Sequence, residues 1–357
     1  MILGLLLANI TGAALHGDTL YTWGDQLLAW TLPQLQSHSL AALDKPITAG
    51  CLDQDGAGLF LQEGDRLVYR QAPDWKPKEM DHGMDMHDCL AVTLLKHRGV
   101  LVVHRGMQLR LYEFPDFHYK EIYSFYSRSR QGGLLVTDVD GDGYPDIICG
   151  NYWIKSPTDF DLPWHDFAIE LYNDRPLAAT LRLALEDGDL LVAQGELPDG
   201  RVARFRKPPD PKQLWIEELL GEFHYPRALI GNLIGEDDGP RSKLLLNGHL
   251  AARTNGILAA FPYHDGFVLV GRDGVFYRSL RSSGKIGSQA KAPAPLSRKS
   301  RASTWGRRFR FPSANPARQR LQWSRCLSAL TGSQMSDEVP QSATNLPRIE
   351  SQPEHYR

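Results

Sequence analysis

A short apolar run that closes on glycine recurs along the first 280 residues, and no other feature restricts the fold as much. It stands at Leu20-Tyr-Thr-Trp-Gly24, Phe60-Leu-Gln-Glu-Gly64, Leu101-Val-Val-His-Arg-Gly106, Ile147-Ile-Cys-Gly150, Leu190-Leu-Val-Ala-Gln-Gly195, Leu244-Leu-Leu-Asn-Gly248 and Val268-Leu-Val-Gly271. The glycines are 40, 42, 44, 45, 53 and 23 residues apart. A second apolar run with an aromatic follows several of them, as in Leu27-Leu-Ala-Trp30, Leu67-Val-Tyr69 and Leu109-Arg-Leu-Tyr112. Such runs, bounded by Gly, Asp and Pro, are strand signals, and no stretch of this part keeps a helical period. A unit of this length holding about four short strands is a propeller blade. The fold class predicted is all-β: a β-propeller of seven blades, within a range of six to eight. The short last interval implies that the sixth or seventh blade is trimmed. A β-sandwich would have to meet the same period seven times by accident.

The sharpest motif lies in the fourth unit, Asp138-Val-Asp140-Gly-Asp142-Gly-Tyr-Pro-Asp146. Carboxylates at positions 1, 3, 5 and 9 can point inward from a tight loop, and the carbonyl of Tyr144 can join them. Hard oxygen ligands of this number suit Ca²⁺. An EF-hand would need flanking helices and a Glu at position 12, where this chain has Cys149. Strand signals stand on both sides, so the loop is expected to be a calcium site in a β-hairpin, with Asp138, Asp140, Asp142, Tyr144 and Asp146 as ligands.

The run Leu135-Val-Thr-Asp-Val-Asp-Gly-Asp-Gly-Tyr-Pro-Asp-Ile-Ile-Cys-Gly150 resembles an FG-GAP/VCBS blade. Its continuation through Asn151-Tyr-Trp-Ile-Lys-Ser-Pro157 and Pro163-Trp164 is similar to blades of bacterial VCBS repeat proteins and of aldos-2-ulose dehydratase-like propellers. The likeness is specific over about 40 residues, faint over 1–280 and absent beyond. It implies a calcium-stabilised repeat protein that is extracellular or periplasmic. Other units carry worn loops: Asp53-Gln-Asp55-Gly-Ala-Gly58, Glu186-Asp-Gly-Asp189, Lys96-His97-Arg98-Gly99 and an irregular run from Asn232 to Asp238.

If strands run from the channel outward, the calcium loop joins strands one and two. The segment leading into strand one and the turn between strands two and three then share the opposite face. Leading into strand one are His82, Asp85, His87 and Asp88; Arg128, Arg130 and Gln131; Asp174 and Arg175; and His224, Tyr225 and Arg227. At the second turn are Asn151, Tyr152 and Trp153, and also Asn247 and His249. From these, His87, Asp88, Arg128, Arg130, Asn151, Tyr152, Trp153, His224 and Arg227 form the candidate ligand set, suited to a carbohydrate or an anionic ligand. The Asp81–Asp88 cluster reads as a solvated loop before a second metal site. Trp153 and Trp164 read as packing between blades before a sugar platform.

Charge divides the chain. Residues 281–357 hold 14 Lys/Arg against 4 Asp/Glu, whereas the whole chain has net charge −2. This Ser-, Ala-, Pro- and Arg-rich stretch cannot bury a core and predicts a disordered tail. The expected division is a propeller over 1–280 and a basic tail over 281–357. The tail reads as an extension after the last blade, its alternative being a grip on nucleic acid or another anionic surface. The body carries no nucleic-acid signature. The apolar run 1–8 lacks a basic leader and reads as a strand, and no run is long enough to span a bilayer. Cys51, Cys89 and Cys149 sit in apolar runs and read as small core residues.

The function expected is a binding or interaction module for carbohydrate, another polar ligand or protein, acting as a monomer. One alternative is a sugar lyase or dehydratase of the aldos-2-ulose dehydratase-like type, which would gather His87, Arg130 and His224 around one pocket with a second metal. Another is an integrin-like adhesion propeller, which would want several calcium loops. No triad, phosphate loop or CxxC motif marks a catalytic site.

Overall fold

Seven small antiparallel sheets, each with its strands in sequence order, make up the protein. This computed structural model describes residues 9–83, 85–125, 132–170, 182–230, 233–272 and 274–279. The run 1–8, the tail 281–357 and Arg128, Arg130, Gln131, Asp174, Arg175 and Asn232 lie outside them. Blade 1 is β1 (Ile10–His16), β2 (Thr19–Gly24), β3 (Leu27–Thr31) and β4 (Gln36–Ala41). Blade 2 is β5 (Ile47–Leu52), β6 (Gly58–Glu63), β7 (Arg66–Gln71) and β8 (Pro77–His82). Blade 3 is β9 (Met86–Leu94), β10 (His97–His104), β11 (Met107–Glu113) and β12 (Tyr119–Phe125). Blade 4 is β13 (Leu134–Thr137), β14 (Asp146–Cys149), β15 (Tyr152–Lys155) and β16 (His165–Ala168). Blade 5 is β17 (Arg182–Glu186), β18 (Asp189–Ala193), β19 (Gly200–Arg206) and β20 (Ile216–Phe223). Blade 6 is β21 (Pro226–Ile230), β22 (Leu233–Glu236), β23 (Ser242–Leu246) and β24 (His249–Thr254). Blade 7 has three strands among the described residues, β25 (Ala259–Tyr263), β26 (Gly266–Val270) and β27 (Val275–Ser279). The fold is thus a seven-bladed β-propeller, with the shortest sheet among the described residues last.

First strands touch first strands around the ring, and β1 meets β25 to close it. The core is therefore not one mass but seven seams, each an apolar cluster shared by two neighbouring blades. The second and third strands supply most of it: Leu59 and Leu61 of β6 pack with Trp23 of β2, and Leu101 and Val103 of β10 with Ile147 of β14. Strands buried on both faces explain the continuous apolar runs.

A device that the sequence pattern hides sits at the third turn. Leu32-Pro33, Ala72-Pro73 and Phe114-Pro115 are cis peptides, and two residues later Leu35, Trp75 and Phe117 all have φ between +51° and +62°. Their N–H groups donate back to Thr31, Gln71 and Glu113 at 2.9, 2.9 and 2.7 Å. The turn throws each side chain into the seam with the preceding blade. Phe160 and Trp164 do the same from blade 4, and Trp215 from blade 5.

Two sequence readings need correction. Blade 6 is out of phase: Leu244-Leu-Leu belongs to its third strand, so Asn247 and His249 sit at the turn into the fourth strand, on the face of the acidic 138–146 loop. The true end of its second strand is Glu236, followed by Asp237 and Asp238 where other blades have glycine. This is why the interval before Gly248 is long and the one after it short. Secondly, Cys51 and Cys89 are not simple core residues; they form a disulfide between the innermost strands of blades 2 and 3, with Cα atoms 5.7 Å apart. Cys149 remains a buried thiol.

Candidate functional site

The acidic loop joins β13 to β14 as its spacing requires. Gly141 and Gly143 have φ of +79° and +89°, a conformation that side chains disfavour, and this lets the chain fold over Asp138. The Asp138 carboxylate accepts from the N–H groups of Gly141 at 2.7 Å and Gly143 at 3.0 Å. Asp146 is fully buried and accepts from Val139 at 2.9 Å and Ser156 at 2.8 Å. Burial pushes its carboxyl up, with those two N–H groups opposing. Oxygens of Asp138, Asp140 and Asp146 come within 4.8 Å of one another.

One oxygen of this group, Asp140 Oδ1, is buried with no donor facing it. A buried carboxylate oxygen without a partner is costly, and a cation would satisfy it. The residues present therefore fit a metal ion, held by Asp138, Asp140 and Asp146. Asp142 is not among the three whose oxygens meet at that distance, but its carboxyl lies beside that of Asp140. The Lys155 ammonium, from β15, donates to both Asp140 and Asp142. That contact holds the Asp142 carboxyl below its usual range. Partial burial works against the Lys155 charge, but the two carboxylates prevail and raise its pKa. The Tyr144 N–H donates to Asp142 at 3.0 Å.

At the other end of the channel, the N-terminal ends of the seven innermost strands surround a cavity of about 330 Å³. Its charged and polar lining includes His87, Asp88, Arg182 and Arg227. His87 Nε2 hydrogen-bonds the Arg105 carbonyl. Asp88 accepts from the N–H groups of Cys89 and Gly133, both at 2.9 Å. Burial raises its carboxyl, and Arg182 opposes the rise. Arg227 is pulled down by burial; it pairs with Asp237 at 3.1 Å, which Arg272 shares at 2.9 Å. Trp23 reaches the cavity from the second strand of blade 1 because Gly12 leaves room: a Cβ there would lie 2.5 Å from its Nε1.

Of the sequence-derived ligand set, the cavity gathers His87, Asp88 and Arg227, while Arg128 and Arg130 lie outside the described residues. Trp153 does not line it; the indole is wholly buried, stacks on Phe167 and donates to the Pro211 carbonyl at 3.0 Å, inside the seam of blades 4 and 5. Asn151 is buried, and Tyr152 packs against the seam of blades 3 and 4. His224 bonds the Pro198 carbonyl at 2.7 Å and is also outside the lining. Arg182, Trp23 and Lys155 were missed by sequence reading. Arg182 alone had a usable signal, as the first residue of its blade's innermost strand.

The FG-GAP repeat model matches residues 132–153, spanning β13, the acidic loop, β14 and the start of β15. No curated protein matches the chain in sequence. Two crystal structures of the extracellular domain of BT4673 from B. thetaiotaomicron are similar, one described as part of a one-component system and the other of a hybrid two-component system. The first is 13% identical with a TM-score of 0.51, over 75% of this chain and 38% of that one. The second is 12% identical with a TM-score of 0.52, over 76% and 38%. The chain thus spans well under half the length of either, and the likeness is one of fold. With seven four-stranded or near-complete blades among the described residues, the chain is a β-propeller whose fourth blade carries an FG-GAP repeat.

Proposed function

We propose that this propeller is a monomeric interaction module, braced by Ca²⁺ in blade 4, whose channel end receives a small polar ligand such as a carbohydrate. The observation that carries the reading is the cavity at the N-terminal ends of the innermost strands, where every blade contributes and polar groups from blades 3, 5 and 6 meet. Ligand sites favour concave places where loops of a rigid scaffold converge. Calcium is favoured among metals because the donors are all hard oxygens. An oxidising compartment, extracellular or periplasmic, is supported by the Cys51–Cys89 disulfide, since such bonds persist there.

Thermal melts with and without EGTA test the brace. The wild-type protein should lose stability on chelation, and Asp140→Ala should start lower and ignore the chelator. A wild-type melt indifferent to EGTA rejects calcium. A glycan array tests the channel end: binding that survives loss of His87 and Arg227 would place the ligand elsewhere.

A further inference from the structure

Among the described residues, the unpaired side-chain groups at the channel end are donors. Trp23 Nε1 and Arg182 Nε are buried there without an acceptor. The Arg227 guanidinium lines the same cavity, and the charges of Arg182 and Arg227 disfavour one another. Among the described residues the one carboxylate on the wall is Asp88, which accepts backbone N–H groups of Cys89 and Gly133 and feels the charge of Arg182 without bonding its Nε. Asp237, which answers Arg227, is shared with Arg272 and lies behind the wall. Glu196 acts on Arg227 only at longer range. Buried donors that lack acceptors are costly, and a forked guanidinium is suited to a planar oxyanion.

The geometry points to a small oxyanion-bearing ligand, of monosaccharide size, seated at the channel end against Arg182, Arg227 and the Trp23 N–H. A sugar acid fits best, because its hydroxyls would meet His87 and Asp88 on the adjoining wall. The inference rests on the channel end being the ligand face. It adds the charge of the guest and two residues, Arg182 and Trp23, that the repeat pattern does not mark. The volume of about 330 Å³ excludes a long chain lying within the cavity, though the end of one could enter.

Calorimetric titration of the full-length, calcium-loaded protein with glucuronate, glucose and inorganic phosphate tests it, with Trp fluorescence as a second readout. Glucuronate should bind at least tenfold tighter than glucose, and Arg182→Gln should abolish that preference. Arg182→Lys, which keeps the charge and loses the fork, should fall between. Arg204→Gln, which breaks a pair with Glu186 on the outer part of blade 5, should leave binding unchanged. Phosphate binding with the same Arg182 dependence would keep the oxyanion and replace the sugar acid. Glucose bound as tightly as glucuronate, with Arg182→Gln harmless, overturns the oxyanion while leaving the ligand face in place. No binding by any of the three, to a protein whose melt is normal, overturns the site itself.

Discussion

Lys155 occupies a position that a bound cation would contest. Its ammonium spans Asp140 and Asp142, so the loop is partly neutralised without metal. Lys155→Met should then have two opposite effects. The metal-free protein should melt lower, because the carboxylates repel one another unscreened. Calcium should bind about tenfold tighter, or about 1.4 kcal/mol, because no internal cation has to leave. Calorimetry showing equal or weaker affinity would deny Lys155 that competing role. His104 gives a second test at this scale. It is fully buried in β10, with Nδ1 lacking a partner, and burial pulls its pKa from 6.5 to about 3. The unfolded chain takes up a proton there below about pH 6.5, and the folded one does so only near pH 3. Stability from this site is therefore complete above pH 6.5 and is lost as pH falls through that window, at about 1.4 kcal/mol per pH unit. In His104→Leu that slope should vanish from denaturant-midpoint measurements between pH 4 and 6.5.

Among the elements, the third-turn plugs are the simplest to challenge. Trp75 is 7% exposed and fills the seam of blades 1 and 2 beside Tyr21. Trp75→Ala should cost about 3–5 kcal/mol, read from chemical denaturation, as for other large side chains cut from a core. A loss below about 1 kcal/mol would show that the seam closes over the gap. These plugs also show what a sequence reveals and hides. The acidic loop was legible because its carboxylates lie close together in sequence and its glycines are fixed by conformation. Strands were legible because seams bury both faces. Blade 6 was misphased because Asn247-Gly248, with φ of +51° and +75°, makes a hairpin turn that imitates the glycine of the other units. Lys155 reaches the loop from across the hairpin, and Arg182 meets Arg227 only once the ring has formed. The disulfide had a faint signal, since 38 residues between cysteines is close to one repeat.

For the whole molecule, the Cys51–Cys89 bond ties two neighbouring blades at the channel wall. Closing a 38-residue separation should contribute about 4 kcal/mol by restricting the unfolded chain. Cys51→Ala/Cys89→Ala, or dithiothreitol, should lower the melting temperature, and an unchanged melt would argue that the bond does not persist in solution. The proposed division after Leu280 makes a separate claim: the truncated chain should keep a β-rich circular-dichroism spectrum and a cooperative melt.

The seven seams are unequal. That between blades 5 and 6 has a buried cluster of Ala193, Val202 and Ile234, with Phe223 and Leu229 beside it, among the described residues. Its counterpart between blades 3 and 4 holds fourteen buried side chains. Counted over the described residues this joint is the thinnest, and a ring that is thin at one joint behaves like a split washer: breathing should concentrate at the gap, and amides of β18 and β22 should exchange faster than those of β10 and β14. Arg182 and Arg227 stand on the two lips of that gap. A guest gripping both would act as a clasp, so occupancy of the channel would be felt as stiffness, and protection at β18 and β22 would rise before any other part of the ring responded.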